Sequence, residues 1–312
     1  MKKKLNLIYL FPSPNKVYPI RDEEFVIEEL INANHNIIKI NNNYVIKIIY
    51  YMFKYKINAM IFSSLNIGKK INFILKILDI PILWWYFDSA NASKKRLKRV
   101  KRIAQNTAVF FNRDKINFIN YVELGINPIW LDQGVPNIIN QKIHQDSYNY
   151  EVGFFGSLSS VHKSRTKLLK KIDEKFNLVV YTKDKKQFQK LGFKNVKKYV
   201  FKDQIPKAVS KIKIILILNS SCSSPYYWSD RIHIMIGSGA FCLTEYTEGI
   251  EKIYLDKKHH IISNKEDNIL YQINYWLKRN DERKDIINDG FSHAHNFHSY
   301  KNRVSELLQY LR

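Results

Sequence analysis

Cysteine is nearly missing from this chain. Cys222 and Cys242 are the two among 312 residues, and they stand in no metal-ligand spacing. So large a chain with so few thiols reads as reduced, intracellular and without structural zinc. Glycine is sparse too, and none of the ten builds a G-x-G-x-x-G turn: the first strand runs into FPSPN, and GFFGS has the wrong spacing. A Walker lysine loop is also lacking. Together these absences remove most nicotinamide-dinucleotide and P-loop chemistry. Long apolar runs are missing as well. In INFILKILDIPILWWYF the stretch is broken by Lys76, Asp79 and Pro81, short of the roughly 20 residues a membrane span needs. The amino-terminal MKKKLNLIYLFPSPN begins basic but turns at Pro-Ser-Pro, which suits a first strand better than a secretion signal. The expectation is a cytoplasmic protein, soluble or attached peripherally at the inner face of the membrane.

What the chain has in excess is positive charge. Fifty-one Lys and Arg against 28 Asp and Glu leave a formal +23, a field that draws nucleic acid, anionic lipid headgroups or nucleotide phosphates. A bias toward Ile, Lys, Asn and Tyr accounts for part of this as lysine spread over solvated faces. It accounts least for KKRLKRVKR, Lys94 to Arg102, where only Leu97 and Val100 can pack. Their three-residue spacing gives one narrow stripe, so the segment is expected to be a surface helix facing an anionic partner.

Apolar, β-branched runs at 5–11, 35–40, 58–64, 80–88 and 107–112 alternate with segments of helical length such as RDEEFVIEELINA and IGKKINFILKIL. That alternation implies parallel βαβ units. A polar stretch with Gly134 and Pro136 interrupts it, after which strands and helices resume from YEVGFFGS at 150–157. The fold expected is α/β, with a Rossmann-like domain over 1–138, a second over 150–295, and a terminal helix (296–312) returning to the first. Such domains facing across a cleft bind ligands at the carboxyl ends of their strands.

The carboxy-terminal half carries a series of spaced motifs: Ser229-Asp230-Arg231 at a helix start, Ser238-Gly239-Ala240-Phe241, Thr247 to Glu251 as TEGIE, HHIISNKED, NDERKDIINDG, and His298-Ser299-Tyr300 followed by Arg303. In these the chain resembles the CgeB-like (spore maturation protein type) glycosyltransferases of the GT-B fold, with a glycosyl transferases group 1-like carboxy-terminal domain. The likeness extends upstream through FNRDKINFINYVELGINPIWLDQGVP and YEVGFFGS. It implies a hexosyltransferase-like enzyme moving a sugar from a nucleotide-sugar donor to an acceptor hydroxyl. It also implies that Ser229 and Arg231 face the donor diphosphate. An arginine and exposed amides at a helix start would stabilise that leaving group without a metal, so no cofactor beyond the sugar nucleotide is expected. Tyr226 and Trp228 would wall the sugar or base, or else are core residues. Many relatives carry a glutamate three residues after the arginine to bind the ribose. Here that position is Ile234, which turns attention to Glu245, Glu248 and Glu251, either ribose ligands or decoration of a solvated turn.

Other strand ends supply further candidates. Gly156 and Ser157 close the first strand of the second half, where a small residue lets phosphate approach the backbone. Arg165 could reach the same phosphates or lie on the surface, and Tyr181 could stack on a base or merely end its strand. In WWYFDSANAS, Asp88 ends an apolar strand and is either the group that takes the proton from an acceptor hydroxyl or the cap of the next helix. Asn112 and Arg113 end the neighbouring strand and are candidates for the same cleft. His293, His295 and His298 invite a metal reading, but spacing of two and five does not stack three imidazoles on one helix face. The acceptor implied is a glycan, lipid-linked or otherwise polyanionic, with Lys94–Arg102 toward an anionic membrane. The alternatives are a non-catalytic basic nucleic-acid-binding protein, for which no recognised motif appears, and a glycosyltransferase of modified DNA bases.

Overall fold

A computed structural model describes the chain except residues 1–3, 12–21, 42–44, 66–79, 91–92, 144–146, 159–162, 220–224, 264–265 and 312. The segment IGKKINFILKIL lies outside the described residues. The chain divides into two compact units, Met1–Gln133 with Tyr300–Arg312, and Gly134–Ser299. Among the described residues no helix is long and apolar enough to cross a membrane.

The first unit runs β1 (Asn6–Phe11), α1 (Asp22–Asn32), β2 (Asn36–Asn41), α2 (Val45–Lys54), β3 (Ala59–Phe62), β4 (Ile82–Tyr86), α3 (Lys94–Ala104), β5 (Val109–Asn112), α4 (Phe118–Val122) and β6 (Pro128–Trp130). The strands form one parallel sheet in the order β2-β1-β3-β4-β5-β6. Because alternate strand residues point to opposite faces, Ile8, Met60, Phe62, Trp84 and Phe110 pack under α2, α3 and α4 through Ile48, Val100, Ile103 and Tyr121. Tyr9, Ile61, Leu83, Trp85 and Phe111 pack on the other face against α1 and the terminal helix Tyr300–Leu308. Both faces being covered, the strands read as continuous apolar runs rather than alternating ones.

The second unit runs β7 (Tyr150–Phe155), α5 (Lys163–Lys175), β8 (Leu178–Thr182), α6 (Lys185–Lys190), β9 (Asn195–Lys198), α7 (Ile205–Val209), β10 (Ile212–Ile217), α8 (Arg231–Gly237), β11 (Cys242–Glu245), β12 (Ile261–Ser263), α9 (Glu266–Leu277) and α10 (Asn280–Phe297). Its parallel sheet has the order β12-β11-β10-β7-β8-β9. Two βαβαβ halves wind outward from β7 and β10, so the strand order reverses between those two. This is the arrangement of a nucleotide-binding sheet, with its switch point at the β7/β10 crevice. The α/β, doubly wound architecture expected from the sequence is the one found.

The position of α8 is set from beneath. Gly290 on α10 allows the close approach, since a Cβ there would stand 2.6 Å from the His259 carbonyl oxygen and 3.1 Å from Ile236. Around buried Tyr254 lies a group of imidazoles. His233 Nδ1 meets the Tyr254 hydroxyl at 2.9 Å, and His260 bridges Thr244 Oγ1 (2.9 Å) and the Tyr254 carbonyl (3.0 Å). His293 and His298 each bring Nε2 to the Ile253 carbonyl, while His295 turns away to the Gly237 carbonyl. No group of three or more His, Cys, Asp or Glu among the described residues is placed to hold a metal. Cys242 is a free, buried thiol whose pKa is pushed up by burial.

Burial lowers both His259 and His260 to about 4, and for His259 the neighbouring His293 adds to the effect. Unfolded, these rings bind a proton near 6.5; folded, only near 4. The unfolded state therefore holds more protons in that window, so stability is full above it and is lost as pH falls through it. The His260 share is roughly 3 kcal/mol, at about 1.4 kcal/mol per pKa unit. Melting temperature measured at descending pH should drop steeply in this window, and His260→Gln should flatten the descent. A variant whose melting curve keeps the parent's slope would show that His260 is not the buried neutral group.

Candidate functional site

The crevice at the β7/β10 switch point is organised by one side chain. β10 is buried along almost its whole length and continues through Leu218 to Asn219. There the chain stops being apolar and a carboxamide takes over. The Asn219 backbone N–H donates to Glu245 Oε2 at 2.7 Å, and Nδ2 donates to the Glu245 carbonyl (2.9 Å) and Thr247 Oγ1 (2.8 Å). Oδ1 accepts from the Ser229 N–H at 3.0 Å. One buried residue thus fixes the ends of β10 and β11 and the approach to α8. Sequence reasoning passed over it; the signal was a lone carboxamide closing the apolar run Ile214–Leu218.

Arg165, in the first turns of α5, reaches the same place. Its guanidinium donates to the carbonyls of Leu218 (3.1 Å) and Asn219 (2.8 Å) and lies over the Phe154 ring. It is buried, not on the surface, because those carbonyls at a strand end draw it in. Burial and then the neighbouring Arg231 charge lower its pKa to about 10, with Glu245 opposing. Its Nε is buried without a hydrogen-bond partner among the described residues.

Arg231 opens α8, half-buried, and its guanidinium donates to Ser229 Oγ at 3.0 Å. The exposed amides expected at this helix start are not there: the Arg231 N–H meets Ser229 Oγ, that of Ile232 the Ser229 carbonyl, and that of His233 the Asp230 carbonyl. The segment before Arg231 is locally closed, so the positive charge is the two guanidiniums. Ile234, three residues after Arg231, is in the core.

Trp228 is buried, a wall from within. Tyr226 holds a left-handed φ of 61°, which costs free energy in a non-glycine residue and recurs at functional sites. Three contacts keep it there: its N–H to the Glu248 carbonyl at 2.8 Å, the Lys252 ammonium donating to its hydroxyl at 2.6 Å, and Gly249 beneath its ring. Gly249 itself sits at φ 93°, and a Cβ would come 2.7 Å from the ring, so both demands are met by glycine alone. Glu248 is exposed, while Glu251 turns back to accept from the Gly249 N–H at 3.1 Å.

Of the remaining candidates, Gly156 and Ser157 follow directly on the carboxyl end of β7. At Gly156 a Cβ would meet the Phe154 ring at 2.4 Å, so core packing already requires the glycine there; Ser157 beside it is exposed. Tyr181 is a core residue, stacked on Phe155 with centroids 4.6 Å apart, which leaves no open face for a base. In the first unit, Asp88 is exposed just past β4, and the cap of α3 is Ser93, whose hydroxyl accepts from the Arg96 N–H. Asn112 is buried and clamps the Tyr86 and Asp88 carbonyls. Arg113 is buried against Asp132 at 3.0 Å and donates to Gln133. Both hold the first unit together rather than offer free groups.

Residues 165–309 match the family model described as glycosyl transferase-like. The whole chain is similar in structure to the Anabaena protein HepE solved in complex with UDP-glucose, at 11% identity and TM-score 0.72, over 98% of this chain and 99% of that one. It is likewise similar to sucrose-phosphate synthase from Thermosynechococcus elongatus, at 9% identity and TM-score 0.73, over 98% of each chain. An alpha-glucosyltransferase in complex with UDP and a DNA 13-mer containing an HMU base aligns at 8% identity and TM-score 0.67, over 99% of this chain and all of that one. No curated protein matches the chain in sequence. The fold is that of GT-B glycosyltransferases, and the matched domain supports a glycosyltransferase.

Asn219→Ala would strip the Ser229 N–H, the Glu245 carbonyl and the Thr247 hydroxyl of a partner at once. The expected loss is about 2–4 kcal/mol in urea unfolding, since buried polar groups left unpaired cost more than the bonds returned. Asn219→Asp, which sets a second carboxylate against Glu245, should recover little of it. An alanine variant within about 0.5 kcal/mol of the parent would show that the carboxamide holds nothing in place.

Proposed function

We propose that this protein is a CgeB-like glycosyltransferase that binds a nucleotide sugar at the β7/β10 crevice of its second unit and transfers the sugar to an acceptor hydroxyl. The observation that carries this reading is the pair Arg165 and Arg231. Arg165 is held by the carbonyls at the end of β10 and Arg231 by Ser229 at the start of α8, and Arg165 feels the Arg231 charge, which Glu245 partly offsets. A bound diphosphate relieves that repulsion and completes the set of charge-assisted bonds.

Diphosphate is also the leaving group. As the bond between the sugar's anomeric carbon and the phosphate oxygen breaks, negative charge gathers on that oxygen, and donors already fixed in place stabilise it most. Arg165 is held by the carbonyls at the end of β10 and Arg231 by Ser229, so little reorganisation is needed. In this reading the guanidiniums supply the charge that a metal would otherwise bring. Trp228 and the strained Tyr226 shape the pocket wall, and Glu248, whose side chain is exposed, is the ribose candidate. Asp88, past the carboxyl end of β4, takes the proton from the acceptor hydroxyl. Nucleotide complexes of the structural neighbours favour a uridine diphosphate sugar as the first donor to test.

The acceptor in this reading is a polyanionic or membrane-borne glycan, in keeping with the +23 charge. The DNA-bound neighbour favours a second acceptor, a modified base in DNA. Transfer assays with each separate the two.

Thermal shift measures the donor claim. UDP or UDP-glucose should raise the melting temperature of the parent. Arg231→Ala should melt as the parent does, being half-buried and outside the core, yet lose that rise and about 30- to 1000-fold in transfer rate. Arg165→Ala should lose stability as well, since it is buried. An Arg231→Ala variant that binds UDP as well as the parent would move the donor site elsewhere.

A further inference from the structure

The helices on one face of the first sheet carry features that the donor site does not use. α2 turns Ile48 into the core, with Tyr51 and Met52 half-buried beside it. Its opposite side presents Ile46, Ile49, Tyr50 and Phe53, spaced by three and four, which is one stripe along the helix. Ile46 is 83% exposed and Phe53 89%. Beside α4, Ile116, Ile119 and Val122 repeat the pattern at intervals of three, with Ile119 76% exposed. Scattered apolar residues on a surface need no explanation; contiguous helical stripes of large ones do.

Between α2 and α4 in chain order stands α3, which packs Val100, Ile103 and Ala104 inward. It holds seven Lys and Arg and no acidic residue. Lys94, Lys95, Lys98 and Arg102 are exposed. All three helices rest on the same sheet face, since Ile48, Val100 and Tyr121 share one core cluster with Trp84 and Phe110. At the end of α2, Lys54 lies over the Tyr50 and Tyr55 rings, 5.5 Å from each centroid. A long cation flanking an apolar stripe is the composition of an interfacial helix.

We infer that this helical face is a docking surface for an anionic lipid bilayer, with α3 in the headgroup field and the α2 and α4 stripes in the interfacial layer. Charge complementarity selects the occupant. A second copy of the chain would bring +23 against +23. A nucleic acid would satisfy α3 but leave Phe53 and Ile46 against phosphate or water. An anionic bilayer satisfies cations and apolar stripe together. The inference stands on the first unit and does not rest on the donor reading.

The test is co-sedimentation of the full chain with phosphatidylcholine vesicles, with mixed phosphatidylcholine–phosphatidylglycerol vesicles, and titration with duplex DNA. The parent should bind the anionic vesicles and not the neutral ones, more weakly as salt rises. Changing Lys94, Lys98 and Arg102 to Gln should weaken binding roughly a hundredfold, at about fivefold per charge near the surface. Ile46→Ser with Phe53→Ser should weaken it about tenfold or more while leaving its salt dependence intact. Because all five residues are exposed, melting temperature and its rise with UDP should be unchanged in both variants, which separates a failure here from a failure of the donor site. Equal binding to both vesicles, indifference to the Ser changes, or tight DNA binding with no vesicle binding would each overturn the inference. Self-association abolished by the Ser changes without vesicle binding would also overturn it.

Discussion

The carboxamide of Asn219 is the constraint on which the second unit's candidate site depends. β10 and β11 are paired as far as Ile217 and Thr244. Asn219 keeps them together, holding the Glu245 carbonyl and Thr247 with Nδ2 while its Oδ1 receives the Ser229 N–H. Its own carbonyl receives Arg165. The two arginines are therefore positioned through one residue, Arg165 directly and Arg231 through Ser229. In the proposed reading such donors, already hydrogen-bonded in place, are the kind that stabilise a leaving group best. The strained Tyr226, locked over Gly249 and bonded to Lys252, belongs to the same preorganised region.

Support from the opposite side of α8 has a different character. Tyr254 is surrounded by imidazoles whose bonds go to backbone carbonyls, to Thr244 and to the tyrosine hydroxyl. Among these rings His259 and His260 are held neutral by burial. The cluster couples the seat of α8 to protonation even though no imidazole stands among the phosphate-binding candidates.

Much of the architecture was legible because parallel strands covered on both faces, such as LNLIYLF and IKIILILN, declare themselves as apolar runs between amphipathic segments. That Ser229 and Arg231 lead into a helix was legible from their motif. Side-chain partners were not. Nothing in the sequence says that Arg165 would find two strand-end carbonyls and become buried, that Phe155 would cover Tyr181, or that Ser229 and Asp230 would occupy the first amides of α8. Gly156 answered to a phenylalanine ring two residues away, a packing demand that leaves no trace in spacing. α2 was hidden for the opposite reason. VIKIIYYMFK is apolar nearly all round, so periodicity alone reads it as core and gives no hint that Ile46 and Phe53 face outward.

The central claim is that a nucleoside diphosphate binds where Asn219 assembles the two arginines, and amide hydrogen exchange with and without UDP tests it most directly. The account predicts slowed exchange in 225–231 and 245–251, the segments that carry Ser229, Arg231 and Gly249, with the edge strands β9 and β12 unchanged. Protection absent from both segments at saturating UDP, or confined to the first unit, would contradict it.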